Sequence, residues 1–248
     1  MIVTPIKTHK IAPVDDLFAV LDKYITKLPE KSVVAVASKI VAITQGRVIK
    51  MVSEKQKDDL AKQEAEYFLP REYNQYGFMI TIKRSIIVAS GGVDESNGNG
   101  SFVLWPENPQ KSANDIRSYF IKRFKLQHVG VIITDSKLSP LRWGVTGVAV
   151  AHSGFEALNS YIGKPDIFGR KLKAEKTNIA DSLATSAVTV MGEGNEQQPL
   201  SILEDLPFVH FQKRNPTDRE LSSLRIRLED DVYASLLKSV KWKKGKGK

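Results

Sequence analysis

The sequence predicts an α+β fold, with mixed sheets flanked by helices. Two observations carry this prediction: β-branched runs alternate with apolar stripes at helical spacing, and no internal repeat is visible along the 248 residues. With 42% hydrophobic residues, a chain of this length can bury a sizeable core, either as one large domain or as two interlocked ones.

The first elements along the chain alternate between strand and helix. Residues 3–7, 32–37 and 48–51 read as strands, because they are rich in Val and Ile. Between the first two runs, an apolar stripe follows two aspartates and predicts a helix. The stripe consists of Leu17, Val20, Leu21, Tyr24 and Ile25.

The middle of the chain continues with a charged helix and more strands. Residues 54–69 are helix-prone, and Pro70 marks their end. Residues 79–82 and 86–89 are predicted to be strands. The pattern Ser112-Ala113-Asn114-Asp115 resembles a capping box and predicts a helix that begins there.

The second half holds the strongest helix signal. Residues 129–134 and 145–152 are predicted strands, and residues 179–191 carry a long apolar stripe that ends at Gly192, where a helix-terminating glycine is typical. A short strand at 208–211 and a helix around 219–237 complete the pattern.

The net charge of +9 is concentrated at the end of the chain. The last eight residues contain five lysines and no acid, so the remainder carries only +4. We therefore expect residues 241–248 to be a disordered solubilising tail, with weak polyanion contact as the alternative interpretation. Nucleic-acid binding is not the favoured function.

The lack of cysteine excludes disulfides and thiolate metal sites, so any metal must bind oxygen or imidazole. It also fits a reducing, cytoplasmic location. No apolar stretch approaches the roughly 20 residues of a membrane-spanning helix. The first residues read as a strand, so no signal peptide is expected.

Three polar turns follow predicted strands or a helix, at residues 91–97, 134–136 and 191–197. If they converge on one cleft, the carboxylates of Asp94, Asp135 and Glu193 supply hard oxygen ligands suited to Mg²⁺ or Mn²⁺. Each turn alone has a plainer interpretation, as a turn former or a helix stop. The P-loop pattern GxxxxGK[ST] is absent, as are HExxH, GxSxG and CxxC. The residues alone thus indicate an α+β enzyme with a divalent metal.

Several longer motifs sharpen this interpretation. They are residues 37–41 with Gly46-Arg47, then 92–97, 129–136, 142–147, 166–170 and 191–194. In this order, and across residues 1–205, they resemble the coenzyme F420-0:L-glutamate ligase (gamma-glutamyl ligase) family. The resemblance implies a ligase domain over residues 1–240, made of two intimately joined subdomains in an intertwined homodimer.

The resemblance also implies the reaction and its site. The family adds L-glutamate to the carboxylate of a glutamate-tailed cofactor, using GTP or ATP and Mg²⁺ or Mn²⁺, with K⁺ as a further ion. The implied metal ligands are Asp94, Asp135, Ser136 and Glu193, and the implied catalytic cations are Lys39 and Arg142. The implied nucleotide contacts are Thr8, His9, Lys10, Ser38, Lys39, Asn97, Met191, Gly192, Gly194, Asn195, Glu196 and Gln197.

The sequence departs from the family pattern at a few positions. Ser136 stands where a threonine is usual, which keeps a hydroxyl, and Ile43 replaces a second lysine. Residues 101–111 and 207–237 resemble a branch associated with folate metabolism. The acceptor, F420-0 or folate, is therefore left open, as is the choice of GTP or ATP. The alternative from another class is a non-catalytic nucleotide- or RNA-binding protein that uses the basic tail.

Overall fold

A mixed five-stranded sheet forms the centre of the computed structural model, which describes residues 1–248. Seven helices and thirteen strands are present, as the predicted α+β class requires. The helices are α1 (Leu17–Tyr24), α2 (Ser38–Thr44), α3 (Glu54–Glu64), α4 (Pro109–Phe124), α5 (Ile179–Met191), α6 (Asp218–Ser223) and α7 (Ala234–Leu237). The strands are β1 (Ile2–Ile6), β2 (Ser32–Ala37), β3 (Val48–Lys50), β4 (Tyr67–Leu69), β5 (Ile80–Lys83), β6 (Ile86–Ala89), β7 (Ser101–Val103), β8 (Val129–Leu138), β9 (Val145–Ser153), β10 (Leu158–Ser160), β11 (Lys176–Asn178), β12 (Leu200–Glu204) and β13 (Lys243–Lys244).

The central sheet has the strand order β1-β12-β2-β8-β9. Strands β2 and β8 run parallel, from Ser32 opposite Val129 to Ala37 opposite Thr134, and the other pairs are antiparallel. The first five residues of β2 are all buried, as expected of a strand covered on both faces. The last residue of β2, Ala37, therefore lies beside Thr134 in the middle of β8, which continues to Leu138.

Each face of this sheet packs against its own set of helices. Alternate β2 residues point to opposite faces: Val34 and Val36 join one cluster, with the apolar stripes of α1, α2 and α4. Val33 and Ala35 join the other, with the apolar stripe of α5. The two helix layers fix the ends of the strands from both sides.

A smaller four-stranded sheet, β13-β4-β5-β6, lies beside the central one with α3. A 3₁₀ turn, Ser90–Gly92, follows β6 directly and packs against α3. The β3–β7 pair joins this region to the loop after the turn, because the backbone of Asp94 bridges Val103 of β7. The polar turn around Asp94 is thus carried by the small sheet.

Two helix boundaries differ from the predicted ones. Helix α4 begins at Pro109 rather than Ser112, because the side chain of Asn108 accepts the N–H of Lys111 at 3.0 Å and so caps the helix earlier. Helix α3 ends at Glu64, whereas the helix-prone segment was expected to run to residue 69. The last three residues instead form β4, because pairing with β5 outweighs their helical preference.

The C-terminal region is less regular than predicted. In place of one helix around 219–237 there are two short ones, α6 and α7, separated by an acidic turn in which Arg227 pairs with Asp230. The expected strand at 208–211 is reduced to a single bridge between Phe155 and Phe211. Few apolar side chains of this region are buried, so packing does not extend either element.

The last eight residues differ from the predicted disordered tail. Strand β13 pairs antiparallel with β4, and the N–H of Gly245 donates to the carbonyl oxygen of Glu66 at 2.9 Å. An edge strand offers unpaired backbone groups whatever the side chains of its partner are. Backbone pairing therefore orders this segment while all its lysines stay exposed.

No helix in the structure combines the length and apolar character needed to cross a lipid bilayer. The cytoplasmic location expected from the lack of cysteine stays a prediction.

Candidate functional site

The three polar segments predicted to be turns meet at one cavity of about 830 Å³. One of them is not a turn: residues 134–136 continue strand β8, where Asp135 lies opposite Val148, because antiparallel pairing with β9 extends the strand to Leu138. Its walls come from the segment after β1, the start of α2, the loop after β6, the middle of β8 and the loop after α5. The cavity lies where β2 ends beside the middle of β8, so the central sheet places these segments together. Sequence-predicted residues that line the cavity are Thr8, His9, Lys10, Ser38, Lys39, Asp94, Asn97, Asp135, Ser136, Met191, Gly192, Glu193, Gly194, Asn195, Glu196 and Gln197.

Asp94 is held in a tight loop after the 3₁₀ turn. Its carboxylate accepts the N–H of Ser96 at 2.8 Å and the hydroxyl of Ser96 at 2.9 Å, and it pairs with the Lys39 ammonium at 2.7 Å. Burial alone raises the pKa of this carboxyl, but the Lys39 charge and the Ser96 donors outweigh it and hold the pKa below its usual value. Asp94 is therefore ionised at neutral pH.

Asp135 follows an irregularity in β8 between Ile133 and Thr134. One carboxylate oxygen accepts the N–H of Ser136 at 2.9 Å, and the other accepts the indole N–H of Trp105. Burial raises the pKa of Asp135 to about 6, against the lowering effect of these two donors, and the nearby Asp94 raises it further.

Glu193 follows the end of α5, where Gly192 takes a φ of 82° and its N–H donates to Val188. This conformation favours glycine and turns the chain out of the helix towards the cavity. Partial burial raises the pKa of Glu193, while the Ser136 hydroxyl and the Lys39 ammonium oppose the rise. The Lys39 ammonium thus lowers the pKa of all three carboxyls.

Hydrogen bonds tie the cavity segments to one another. The side-chain amide of Asn97 donates to the carbonyl oxygen of Gly194 at 2.8 Å, which joins the Asp94 loop to the Glu193 loop. Lys39 donates to the carbonyl oxygen of Ser96 at 2.8 Å. The N–H of Thr8 donates to the carbonyl oxygen of Gln197 at 2.9 Å. The cavity is therefore a cross-linked unit.

The donor set fits a divalent cation by its chemistry. Three carboxylates and the Ser136 hydroxyl are hard oxygen donors, and the buried hydroxyl of Thr134 lines the cavity without a hydrogen-bond partner. No three acidic or histidine side chains stand at the spacing of a ligand cluster, and Lys39 supplies the positive charge among them. The donor chemistry suits the ion, and the three carboxylates would have to move closer together to share it.

Arg142 is the one predicted site residue that the structure does not bring to the cavity. It lies at the exposed tip of the β8–β9 hairpin, and its N–H donates to Ser139. The neighbouring Trp143 packs edge-on against Tyr76 and not against Arg142. Its predicted catalytic role gains no support within this single chain.

Two histidines, His9 and His152, make contacts typical of a structural role. The ring of His9 hydrogen-bonds Tyr24 at 2.8 Å and Asp15 at 3.2 Å, which fixes the turn on the cavity wall. His152 packs against Phe155, and burial lowers the pKa of its imidazole to about 4. This environment agrees with a packed histidine rather than a catalytic base.

Sequence reasoning missed Trp105 and Thr134. Trp105 lies in an apolar run, where a tryptophan is typical of the core, and nothing in the spacing indicates a polar partner 30 residues further along. Thr134 ends a buried strand run, and only the position of the cavity distinguishes it from an ordinary strand residue.

A family model described as F420-0:Gamma-glutamyl ligase matches residues 5–205 of the chain. A similar curated protein is the Coenzyme F420:L-glutamate ligase of Methanococcus maripaludis (strain C7 / ATCC BAA-1331), which is 42% identical over 157 residues. The matched region is 63% of this chain and 60% of that protein.

Two further relatives bear the same name. The Methanocaldococcus jannaschii protein is 41% identical over 141 residues, or 56% of each chain. The Methanopyrus kandleri protein is 34% identical over 214 residues, which cover 80% of this chain and 84% of that protein. The chain thus spans about 60% of the length of the Methanococcus maripaludis relative and most of the Methanopyrus kandleri relative.

Proposed function

Since the chain belongs to the F420-0:gamma-glutamyl ligase family, as its motifs predict, we propose that it joins L-glutamate to the carboxylate of a glutamate-tailed cofactor. The acceptor is of the F420-0 or folate type. The names of the relatives favour the first, and the family match, which ends at residue 205, leaves the folate-like extension 207–237 unassigned.

One observation carries this proposal: Asp94, Asp135, Glu193 and Lys39 share a single cavity with the segments expected to contact nucleotide. The cavity volume of about 830 Å³ lies within the range typical of small-molecule sites. Two segments beside the cavity, residues 91–97 and 191–197, are rich in glycine and amide side chains, which allow the backbone to approach phosphate closely.

The reaction has two steps. A carboxylate oxygen of the acceptor attacks the γ-phosphorus of GTP or ATP, and the nucleoside diphosphate leaves, which forms an acyl phosphate. The amine of L-glutamate then attacks the acyl carbon, phosphate leaves, and an amide forms with loss of a proton. Both steps bring several negative charges together, so the protein acts mainly by positioning reactants and neutralising charge.

The chain's own residues divide these tasks. Lys39 places its ammonium against phosphate oxygens, a role supported by its position close to all three carboxylates. Asp94, Asp135, Ser136 and Glu193 hold Mg²⁺ or Mn²⁺, an ion that supplies charge neutralisation at the phosphates when bound. The Thr8–Lys10 turn, Ser38, Asn97 and the loop after α5 hold the nucleotide.

We expect a homodimer, and the surface supports this expectation. Four large apolar side chains are at least 88% exposed, on the β8–β9 hairpin and on the loop that follows β10: Leu141, Trp143, Ile167 and Phe168. Exposed apolar clusters of this kind are typical of interaction sites. Arg142 lies on the same hairpin, so its role is best tested in the assembled protein.

Phosphate release tests the proposed reaction. Purified protein is mixed with L-glutamate, Mg²⁺ or Mn²⁺, GTP or ATP, and either F420-0 or a reduced folate. We expect phosphate release that requires both glutamate and one of the acceptors. Asp94→Ala and Asp135→Ala should each lower turnover by about 100-fold or more, because each removes a charged ligand of the ion.

The matched control is Asp115→Ala, which removes an exposed acid of α4 whose only ion pair is with Lys111. It should leave turnover unchanged. Full turnover in both cavity variants contradicts the proposed site. If the chain is instead an RNA-binding protein, binding persists in both variants and weakens with salt and with removal of residues 241–248.

A further inference from the structure

Trp105 lies directly behind the cavity wall and touches two of its three acidic segments. The side chain is among the most deeply buried in the protein, at 1% exposure. Its indole N–H donates to a carboxylate oxygen of Asp135. Its ring also packs against Gly92 of the Asp94 loop, where an added Cβ would lie only 2.5 Å from the indole nitrogen.

A buried ion cluster also contacts this ring. The Lys83 ammonium lies 5.2 Å from the ring centroid and pairs with Glu64. Glu64 also pairs with Arg47 at 2.8 Å, and the Nε–H of Arg47 donates to the carbonyl oxygen of Trp105 at 3.1 Å. These contacts form a closed circuit, from the ring through Lys83, Glu64 and Arg47 to the backbone of the same tryptophan.

We propose that Trp105 is a positioning residue that orients Asp135 for the divalent cation, and that the cluster of Lys83, Glu64 and Arg47 holds its indole in place. This inference rests on the metal site of the proposed function. It assigns a role to four residues outside the cavity lining that have no part in the reaction described above.

The physical reason is the geometry of the carboxylate. Two N–H donors, from Ser136 and Trp105, occupy one position on each Asp135 oxygen and leave the remaining lone pairs for a metal. Partners of this kind fix a ligand's orientation, and their loss typically weakens metal affinity by about 10- to 100-fold. A cation over the ring polarises the indole and strengthens its N–H as a donor.

An ordinary core role makes a different prediction. A tryptophan that only fills space contributes through its ring, so replacing it with another ring changes stability but leaves metal affinity unaltered. The close contact with Gly92 and the N–H directed at Asp135 favour the positioning role. The two roles are separated by measuring metal affinity and stability independently.

The decisive variant is Trp105→Phe, which keeps an aromatic ring and removes the N–H. Mn²⁺ affinity is measured on the full chain by titration calorimetry and by electron paramagnetic resonance, without nucleotide or acceptor. We expect the Kd for Mn²⁺ to rise by about 10-fold. The control is Trp242→Phe, which removes an indole N–H that donates to Leu237 at 2.7 Å, far along the chain, and should leave the Kd unchanged.

A second experiment keeps Trp105 and uses its fluorescence to report whether Mn²⁺ binds beside it. In the double variant Trp143→Phe/Trp242→Phe, Trp105 is the sole tryptophan. Mn²⁺ is paramagnetic, so its binding beside the Asp135–Trp105 pair should quench the fluorescence with the Kd found by calorimetry. Replacing Asp135 with asparagine should abolish the saturable quenching.

The outcomes are distinguishable. An unchanged Kd in folded Trp105→Phe overturns the positioning role and leaves the metal site intact. Absence of Mn²⁺ binding by the unsubstituted protein overturns the metal site and this inference together. If Trp105→Phe does not fold, Lys83→Met decides, because it keeps Trp105 and removes the ammonium that lies 5.2 Å from its ring centroid: a raised Kd for Mn²⁺ supports the role, and an unchanged Kd contradicts it.

Discussion

Asp94 and Asp135 are the same residue type in the same cavity, yet their surroundings shift the pKa of each carboxyl in opposite directions. Asp94 has the Lys39 ammonium and two Ser96 donors, which keep it ionised. Asp135 faces the buried indole of Trp105, and burial raises its pKa to about 6. One carboxylate is thus charged at all physiological pH values, and the other is close to its titration point.

The raised pKa of Asp135 predicts a pH dependence of stability. Well below pH 3.8, the ordinary pKa of this group, its carboxyl is protonated in both the folded and the unfolded protein. As the pH rises through 6, the folded state must give up a proton that it binds more tightly than the unfolded state does. The free energy of unfolding should therefore fall across this range because of this one group.

Asp135→Asn isolates the effect. We expect the variant to gain about 1–2 kcal/mol relative to the unsubstituted protein between pH 4 and pH 7.5, a value reduced from the full shift because the side chain is only half-buried. Urea unfolding in metal-free buffer measures the difference at each pH. A pH-independent cost of the substitution shifts this difference in unfolding free energy equally at every pH and does not alter its change with pH. A difference that stays constant from pH 4 to pH 7.5 contradicts the prediction.

The elements that were predicted correctly from the sequence are those whose burial pattern leaves one choice. Strand β2 is a short β-branched run buried on both faces, and α5 has a long apolar stripe that ends at a glycine, so both have the predicted bounds. Two polar segments of the candidate site directly follow apolar elements, residues 91–97 after β6 and residues 191–197 after α5, and they were predicted with those elements. Strand β4 was not predicted, because it depends on pairing with β5. The start of α4 was placed three residues late, because Ser112 offers a capping pattern of its own while the residue that caps the helix is Asn108.

The same reason explains what was missed at the site. The polar segments around Asp94 and Asp135 are visible in the sequence because their acids directly follow apolar runs. The link between them does not, because Trp105 reaches Asp135 and Gly92 only after the small sheet has packed beside the central one. Long-range polar contacts of buried aromatic residues leave no periodic signal in a single sequence.

The ion cluster between α3, β5 and the end of α2 yields a prediction at the scale of elements. Glu64 is shared by Lys83 and Arg47, so Glu64→Gln leaves two cations uncompensated, one of them buried. We expect a loss of about 3 kcal/mol or more in the free energy of unfolding. Lys83→Met leaves the Glu64–Arg47 pair intact, so it should cost only about 1–2 kcal/mol.

Chemical denaturation of both variants checks this order. The comparison is internal, because the two substitutions lie in the same cluster and differ mainly in which charges remain. Equal costs, or a larger cost for Lys83→Met, would show that Glu64 is not the shared centre of the cluster. The small sheet would then depend on its apolar contacts, such as those of Phe68 and Met79, for its position.

At the scale of the molecule, the segment beyond the family match connects the two sheets. Near its start, the Asn215 side chain accepts hydrogen bonds from Arg117 of α4 and Ser153 of β9. At its end, β13 extends the small sheet through β4. Because the small sheet carries the Asp94 loop and the central sheet carries Asp135, this segment helps to hold the two halves of the cavity together.

The convergence of Asp94, Asp135 and Glu193 on a bound cation is tested most directly by anomalous diffraction from crystals grown with Mn²⁺ and a non-hydrolysable GTP analogue. We predict a manganese peak in the cavity, with carboxylate oxygens of these residues at about 2.1 Å and the analogue's phosphates on the same ion. A peak held by other residues, or none in the cavity while nucleotide is bound, would contradict the proposed site.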